Sequence, residues 1–474
     1  MGQIDYEKIG FKCGIEIHQQ LDSHKLFCKC PSIIIDAQPD FTIKRSLRAA
    51  AGETGEVDVA AVYAMAKQKQ YTYNGYLANT CLVELDEEPP HPINKEALET
   101  VLVISKLLNA QIIDEIQVMR KTVVDGSNTA AFQRTALVAR NGYLETSKGK
   151  IGIQTICIEE DSAKIVKRTK KEDIYNLSRL GIPLVEIATD ASIQNPEHAQ
   201  EVAKLLGMVL RSTKVKRGLG TIRQDVNLSI KEGVRVEIKG FQELRSIPKV
   251  IENEVKRQLA AIKQGKKLKR EVRKAEPDLT TSFMRPLPGA ARMYPETDLP
   301  GIIPETKSLK IPKLLVHKAK ELKSAGLNKA LADELAKSNK LELFSTLKQQ
   351  FKSIEPQFIA KTLLTTPKEI KKRYNCDLEI EIGVLEKILE ELSKKCITEE
   401  AVFEMLVEIA QGKPLNIDKH KSIDDTKLRQ EIRRIVQATP GLPLNGVIGN
   451  VMKELRGKAP GSKIVEIVKQ EMKQ

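Results

Sequence analysis

Through residues 1–300 the chain alternates apolar and polar positions with a period of two in several short runs, and each run predicts a half-buried strand. In Gly14-Ile15-Glu16-Ile17-His18 the alternation sets Glu16 and His18 on one face and Ile15 and Ile17 on the other. Pro183-Leu184-Val185-Glu186-Ile187 reads as a second strand, and the run from Thr155 as a third that ends in three adjacent acids, Glu159, Glu160 and Asp161. Three acids at the end of a strand are costly unless something cationic faces them. From Thr221 to Ile230 the polar set is Thr221, Arg223, Asp225, Asn227 and Ser229, opposite Ile222, Val226, Leu228 and Ile230. A turn at Lys231-Glu232-Gly233 leads to Arg235, Glu237 and Lys239, so the pair predicts an antiparallel hairpin with one wet face. A further strand is expected to close over Leu82-Val83-Glu84-Leu85, stopped by acids and prolines up to Pro92.

Between these runs the apolar period lengthens to that of a helix. Ala97, Val101, Ile104, Leu107 and Leu108 predict one over residues 94–108. Asn195 as N-cap, Pro196 at the first position and Val202, Leu205, Leu206, Val209 and Leu210 predict another, and residues 247–262 a third. Strands and helices interleaved in this way make an α+β unit with a mixed or antiparallel sheet. Asp125-Gly126-Ser127-Asn128-Thr129 is a polar turn, of a kind that also suits anion contacts. The segment from Met284 to Pro300 carries too many prolines for a helix and must be held by the body of the domain. Past Ile311 the pattern is helical, so the expected domains are 1–300, then an all-helical 301–412, then a small helical tail, 413–474, after Gly412-Lys413-Pro414.

Composition narrows the class. With 474 residues, 41% of them hydrophobic, the chain has material for about two to four domains with ordinary cores. No apolar run is long enough for a membrane span and the first residues lack the features of a signal peptide, so a cytoplasmic location is expected. Seven scattered cysteines argue against a disulfide framework. Cys28 and Cys30 form a CxC with no second pair at zinc-ribbon spacing and read as ordinary thiols, zinc being the lesser alternative. A net charge of +14 fits a polyanionic partner such as nucleic acid, although a lysine-rich, tryptophan-free composition also arises from genome bias or a hot habitat.

On the residues alone, His18 reads as a hydrogen-bonded structural histidine or a ligand, and Glu186 as a partner for a lysine or a ligand. Arg223, Asp225, Glu237 and Lys239 read as a solvated lattice or as contacts to a phosphate with its metal. Several segments in the same order then carry a resemblance: the Gly14–His18 and Leu26-Phe27-Cys28 runs, Cys157-Ile158-Glu159-Glu160-Asp161, Gly181 to Ile187, Gly218 to Asp225, and the loop 285–298. Together they resemble the GatB/GatE family of tRNA-dependent amidotransferases, in its archaeal E type, over nearly the whole chain. The stretch 449–458 is similar to the signature of that family's YqeY-like tail.

The resemblance implies a cradle-shaped α+β domain that uses ATP and Mg2+ to phosphorylate the side-chain carboxylate of glutamate misacylated on tRNA(Gln). Ammonia from an asparaginase-like amidase partner, the D-type protein of the same enzyme, then replaces the phosphate. Under it Glu16, His18, Glu160 and Glu186 become catalytic metal ligands, and Arg223, Asp225, Glu237 and Lys239 nucleotide or substrate contacts. The tail residues Arg429, Arg433, Arg434, Lys453, Arg456 and Lys458 become contacts to tRNA phosphates. Two other readings stay open: a B-type subunit that also serves Asp-tRNA(Asn), and a tRNA-binding scaffold without catalysis. One departure stands out. The E type carries an insertion resembling one in bacterial-type aspartyl-tRNA synthetases, and here only a short join links Gln264 to the loop at Arg285.

Overall fold

A computed structural model describes residues 4–472 apart from 50–54, 56, 242, 288–292, 339, 379–380, 441 and 456. The chain divides into two compact units, Met1–Leu314 and Leu315–Gln474.

An eleven-stranded sheet organises the first unit. Seven of its strands carry the site: β1 (Lys12–Gln20), β2 (Val118–Thr122), β3 (Phe132–Thr146), β4 (Gly149–Glu160), β5 (Pro183–Thr189), β6 (Ile222–Ser229) and β7 (Val236–Lys239). They lie side by side in the order β7-β6-β1-β5-β4-β3-β2, each antiparallel to its neighbours. Beyond β7 the strand Glu271–Ala275 joins in parallel, so the sheet is mixed. The predicted hairpin is present as β6 and β7, with Asn227 opposite Glu237.

Strand parity decides which side chains meet. Ile15, Ile17, Val185, Ile187, Ile156, Ile158, Val226 and Ile238 are all buried in one core. Helices α1 (Val59–Met65), α2 (Lys95–Leu107), α3 (Pro196–Arg211) and α4 (Ile247–Lys263) complete this unit, and α2 and α3 supply Val101, Ile104, Val202 and Leu206 to the same core. The expected caps are in place: Asn94 accepts from the Ala97 amide at 3.1 Å and Asn195 from that of His198 at 2.9 Å. Each buried Ile or Val contributes about 1.5–3 kcal/mol relative to exposure. A slip of one residue would turn that row outward and a row of charge inward, so the register is strongly specified.

The strand expected at residues 82–85 is absent. Glu84 is buried, its carboxylate accepts from the Cys81 amide at 2.7 Å, and Asp86 takes a φ of 56°, so the segment folds into successive turns. A smaller sheet of four strands, Phe41–Arg45, Gln70–Gly75, Glu172–Asn176 and Lys164–Arg168, stacks Tyr73 on Tyr175 at 5.9 Å.

The second unit is helical throughout its described residues. Ile370, Ile388, Met405 and Leu406 form one of its cores; Leu428, Ile432, Val447, Val451, Ile464 and Val468, from its last three helices, form another. Among the described residues no helix is long and apolar enough to cross a membrane.

Candidate active site

The polar face of the sheet carries a row of charge that its pairing brings into line. In register, His18 stands opposite Glu186 on one side and Arg223 on the other, and Glu16 opposite Asp225. His18 Nε2 lies 2.9 Å from Glu16 Oε1 and its Nδ1 3.1 Å from Glu159 Oε1, with Glu186 at 3.9 Å and Asp225 at 3.7 Å. The Lys121 ammonium donates to Glu159 at 2.7 Å and to Glu186 at 3.4 Å, and Lys239 joins Asp225 to Glu237. These groups line one open cavity of ≈ 550 Å³.

The electrostatics follow from that crowding. Burial pushes the His18 imidazole down, but its bonds to Glu159 and Glu16 outweigh burial and lift it to about 10, so it is a cation at neutral pH. Burial pushes Glu16 up, yet His18 and Lys239 bring it down to about 2. Burial together with Glu159 and Glu16 raises Glu186 to about 7 in spite of Lys121. Burial disfavours the charged form of Lys239, and Asp225, Glu237 and Glu16 hold it protonated.

The donors fit a hard divalent cation: Glu16, His18 and Asp225 can bring ligand atoms within 4.8 Å of one another, as can His18, Glu159 and Glu186. Carboxylate oxygens dominate the set, as Mg2+ prefers. His18 joins it as a ligand only after giving up its proton.

Of the expected ligands, Glu16, His18 and Glu186 are thus together, and Arg223, Asp225, Glu237 and Lys239 line the same cavity. Glu160 is not with them. On β4, Cys157 and Glu159 take the polar side, and Glu160 falls with Ile156 and Ile158 on the other. There its carboxylate accepts from the Arg134 amide at 3.1 Å and lies 3.6 Å from that guanidinium, while Arg134 Nε donates to buried Glu296 at 2.8 Å. Burial raises the Glu160 carboxyl above its ordinary range. Asp161, fully buried, accepts from Gln20 at 2.7 Å and from Arg223 at 3.0 Å. Each of the three acids therefore has its cation: Lys121 with His18, Arg134, and Arg223.

Sequence reasoning missed Glu159 and Lys121. Glu159 was available from the parity of Cys157-Ile158-Glu159-Glu160, whereas nothing in Val118-Met119-Arg120-Lys121 marks Lys121. Glu296 also explains how the proline-rich loop is held: Arg120 donates to it at 2.9 Å, beside Arg134. Residues 288–292 of that loop lie outside the described residues.

A second group is separate from the first. Cys28, Cys30, Cys81 and Glu84 can bring ligand atoms within 4.8 Å of one another, and Cys28 Sγ donates to Glu84 at 2.9 Å. The CxC thus acquires partners that only folding supplies, in a donor set that suits zinc. In the tail, Arg429 is exposed, Arg433 pairs with Glu471 at 2.8 Å, and Arg434 with Glu431 and Glu454 at 2.9 Å each. Lys453 is exposed and lines an open cavity with Glu404 and Glu408, Lys458 is half-buried, and Arg456 lies outside the described residues.

Residues 11–310 match the model of the GatB/GatE catalytic domain. The chain belongs to the GatB/GatE family. This family member is 36% identical to the E subunit of the glutamyl-tRNA(Gln) amidotransferase of Methanocaldococcus jannaschii, with 100% of both chains covered. It is 35% identical to the protein of that name from Methanosarcina acetivorans, over 100% of this chain and 99% of that one. With the one from Sulfurisphaera tokodaii the identity is 33%, again with 100% of both covered. The Methanocaldococcus alignment runs to 629 positions against the 474 residues here, so at least 629 − 474 = 155 positions have no counterpart in this GatB/GatE chain.

Proposed function

We propose that this chain is the activating subunit of a glutamyl-tRNA(Gln) amidotransferase. It transfers a phosphoryl group from ATP to the side-chain carboxylate of tRNA-bound glutamate, and ammonia delivered by a partner amidase then displaces the phosphate to leave glutamine on the tRNA. The single observation that carries this reading is the convergence of Glu16, His18, Glu159, Glu186 and Asp225 with Lys121, Lys239 and Arg223 in one open cavity.

Such a reaction brings a carboxylate and a polyphosphate together, and the two repel unless fixed positive charge meets both. Glu16, His18, Glu159, Glu186 and Asp225 would hold Mg2+, which when bound offsets charge on the phosphates. Lys121, Lys239 and Arg223 place permanent cations around the same space, where they can meet the oxygens of the substrate carboxylate and phosphates. Glu160, by this reading, supports the site through Arg134 rather than ligating. Arg433 and Arg434, in ion pairs worth only about 0–1 kcal/mol at the surface, exchange acid partners for tRNA phosphates, and Arg429, Lys453, Arg456 and Lys458 add to the same contact. Residues 1–300 form the cradle and 413–474 the YqeY-like tail; the absent positions correspond to the insertion after Gln264.

The test is formation of Gln-tRNA(Gln) by the purified chain given ATP, Mg2+, Glu-tRNA(Gln) and an ammonium salt. Product is expected with ammonium, and with glutamine or asparagine only after an amidase partner is added. Equal turnover of Asp-tRNA(Asn) would instead identify the B-type specificity, and failure to release phosphate from ATP in the presence of Glu-tRNA(Gln) would leave a scaffold.

A further inference from the structure

Next to the acid-lined cavity is a smaller one of ≈ 170 Å³, between α1 and strands of both sheets. The two share Val123, Asp125 and Arg285 as a common wall. The smaller cavity is too small for a whole drug-sized ligand, for which pockets run from about 300 Å³ upward. It has room for one flat ring system. Its surface suits a ring: Ala61, Tyr63 and Ala64 of α1, Tyr71, Val124 and Met284. Tyr71 is fixed by a hydrogen bond from its hydroxyl to the Val124 carbonyl at 3.1 Å, and Tyr63 is half-buried.

Lys67, Lys69 and Arg168 line this cavity and do not line the acid pocket; Asp58 and Asp173 line it as well, and Asp173 accepts from Lys69 at 2.7 Å. Lys67 Nζ lies 4.4 Å from the Tyr63 ring centroid, and Arg168 begins an exposed basic turn that continues through Lys170 and Lys171. Lys67 and Arg168 therefore line only the ring-sized cavity, while Val123, Asp125 and Arg285 join it to the acid pocket. ATP has phosphates on only one side of its nucleoside. The last nucleoside of an aminoacyl-tRNA has a phosphate on its 5′ side and the amino acid on its terminal ribose, which is the sequence of chemistry the two cavities present.

We infer that the cavity between α1 and Tyr71 holds the 3′-terminal base of aminoacyl-tRNA. Arg168, Lys67 and the basic turn take the phosphates that precede the base, and the aminoacyl group reaches past Arg285 into the acid pocket. This rests on the proposed amidotransferase reading and adds the residues that position its tRNA substrate.

The test uses the full-length chain with ammonium chloride as nitrogen source, and compares the parent with Tyr63→Ala and Ala64→Trp, one removing a wall of the cavity and the other filling it. Initial rates are measured against Glu-tRNA(Gln) and, separately, against ATP. Both variants are expected to raise the KM for Glu-tRNA(Gln) by about tenfold, the scale of a lost base stack, with kcat and the KM for ATP unchanged. Glutamylated tRNA lacking its terminal base should show the same higher KM with the parent chain, and should lose no more with either variant. A rise in the KM for ATP instead would place the base of ATP there and overturn the inference, as would two variants with unchanged KM for both substrates. If the parent chain itself makes no product, the amidotransferase reading fails.

Discussion

The ammonium of Lys121, on β2, donates to Glu159 Oε2 at 2.7 Å across two strand positions of the sheet and stands 3.4 Å from Glu186. It is the cation nearest two carboxylates that also face His18. Lys121→Met should therefore destabilise the metal-free chain by about 1–3 kcal/mol, the cost of leaving buried charge without its hydrogen-bonded partner. Added Mg2+ should raise the Tm of this variant more than that of the parent, because the cation fills the place Lys121 vacates. Equal responses in thermal melts would remove these carboxylates from cation binding.

Glu159 and Glu160 are neighbours with opposite fates. Glu159→Gln is expected to abolish phosphate release dependent on Glu-tRNA(Gln) while the chain still melts cooperatively. Glu160→Gln should leave that reaction running at low temperature and lower the Tm, since the side chain sits with Arg134 in the interior. The reverse pattern in paired activity and melting measurements would restore Glu160 as the ligand.

Arg134 lies beside two buried carboxylates, Glu160 and Glu296. Arg134→Ala strands Glu160 and leaves Glu296 to Arg120 alone, and breaking a buried pair in this way costs about 3–5 kcal/mol. The proline-rich loop is tethered through Glu296, so its peptide bonds should become sensitive to limited proteolysis in the same variant. A Tm and cleavage pattern equal to the parent's would show that Arg120 alone suffices to hold the loop.

His18 gives the metal-free chain a pH signature. Its folded value, about 10, lies above the ordinary 6.5, because Glu159 and Glu16 outweigh the effect of burial. The folded state therefore binds the proton more tightly than the unfolded one. That stabilisation is complete below the unfolded value and is lost as pH climbs through the folded one. Urea midpoints measured from about pH 6 to about pH 10 should fall for the parent and fall less for His18→Gln. Parallel curves would mean that His18 is neutral in the folded chain.

In the tail, Arg429 is exposed on the helix Asp425–Gln437. Replacing it with alanine should weaken tRNA binding uniformly across tRNA sequences and reduce the salt dependence of log Kd by about one phosphate's worth. Filter binding at two salt concentrations measures this, and an unchanged slope would make the residue a bystander.

Much of the fold was legible because it rests on local patterns: the period of two in β1, β5 and β6, the N-caps at Asn94 and Asn195, and the prolines that bar helix at Pro286, Pro295 and Pro300. The turn at Glu84 was not, because that carboxylate bends the chain only once Cys28 and Lys25, distant in sequence, are beside it. The candidate site's row of charge was legible to the extent that strand parity reveals it, so the shared face of Glu16 and His18 follows from two residues while the place of Lys121 depends on which strands are neighbours. Glu160 was misplaced by weighing an acidic cluster as a unit when a strand divides it between two faces. Tail charge shows the same limit: a sequence displays Arg433 and Arg434, but not that Glu471 and Glu454 lie against them.

The position of β1 has a consequence in time. It is the first strand made, yet its two neighbours begin at Pro183 and Ile222, and His18 faces Arg223 across a loop of about two hundred residues. Closing so long a loop is slow compared with forming local structure. While the chain emerges from the ribosome, Glu16 and His18 wait for their partners from other strands, and the row of charge is complete only when β6 inserts beside β1 and brings Arg223 and Asp225. A chain broken off before residue 222 would carry Glu16, Glu159 and Glu186 and still lack Arg223, Asp225, Glu237 and Lys239, the far side of the same cavity.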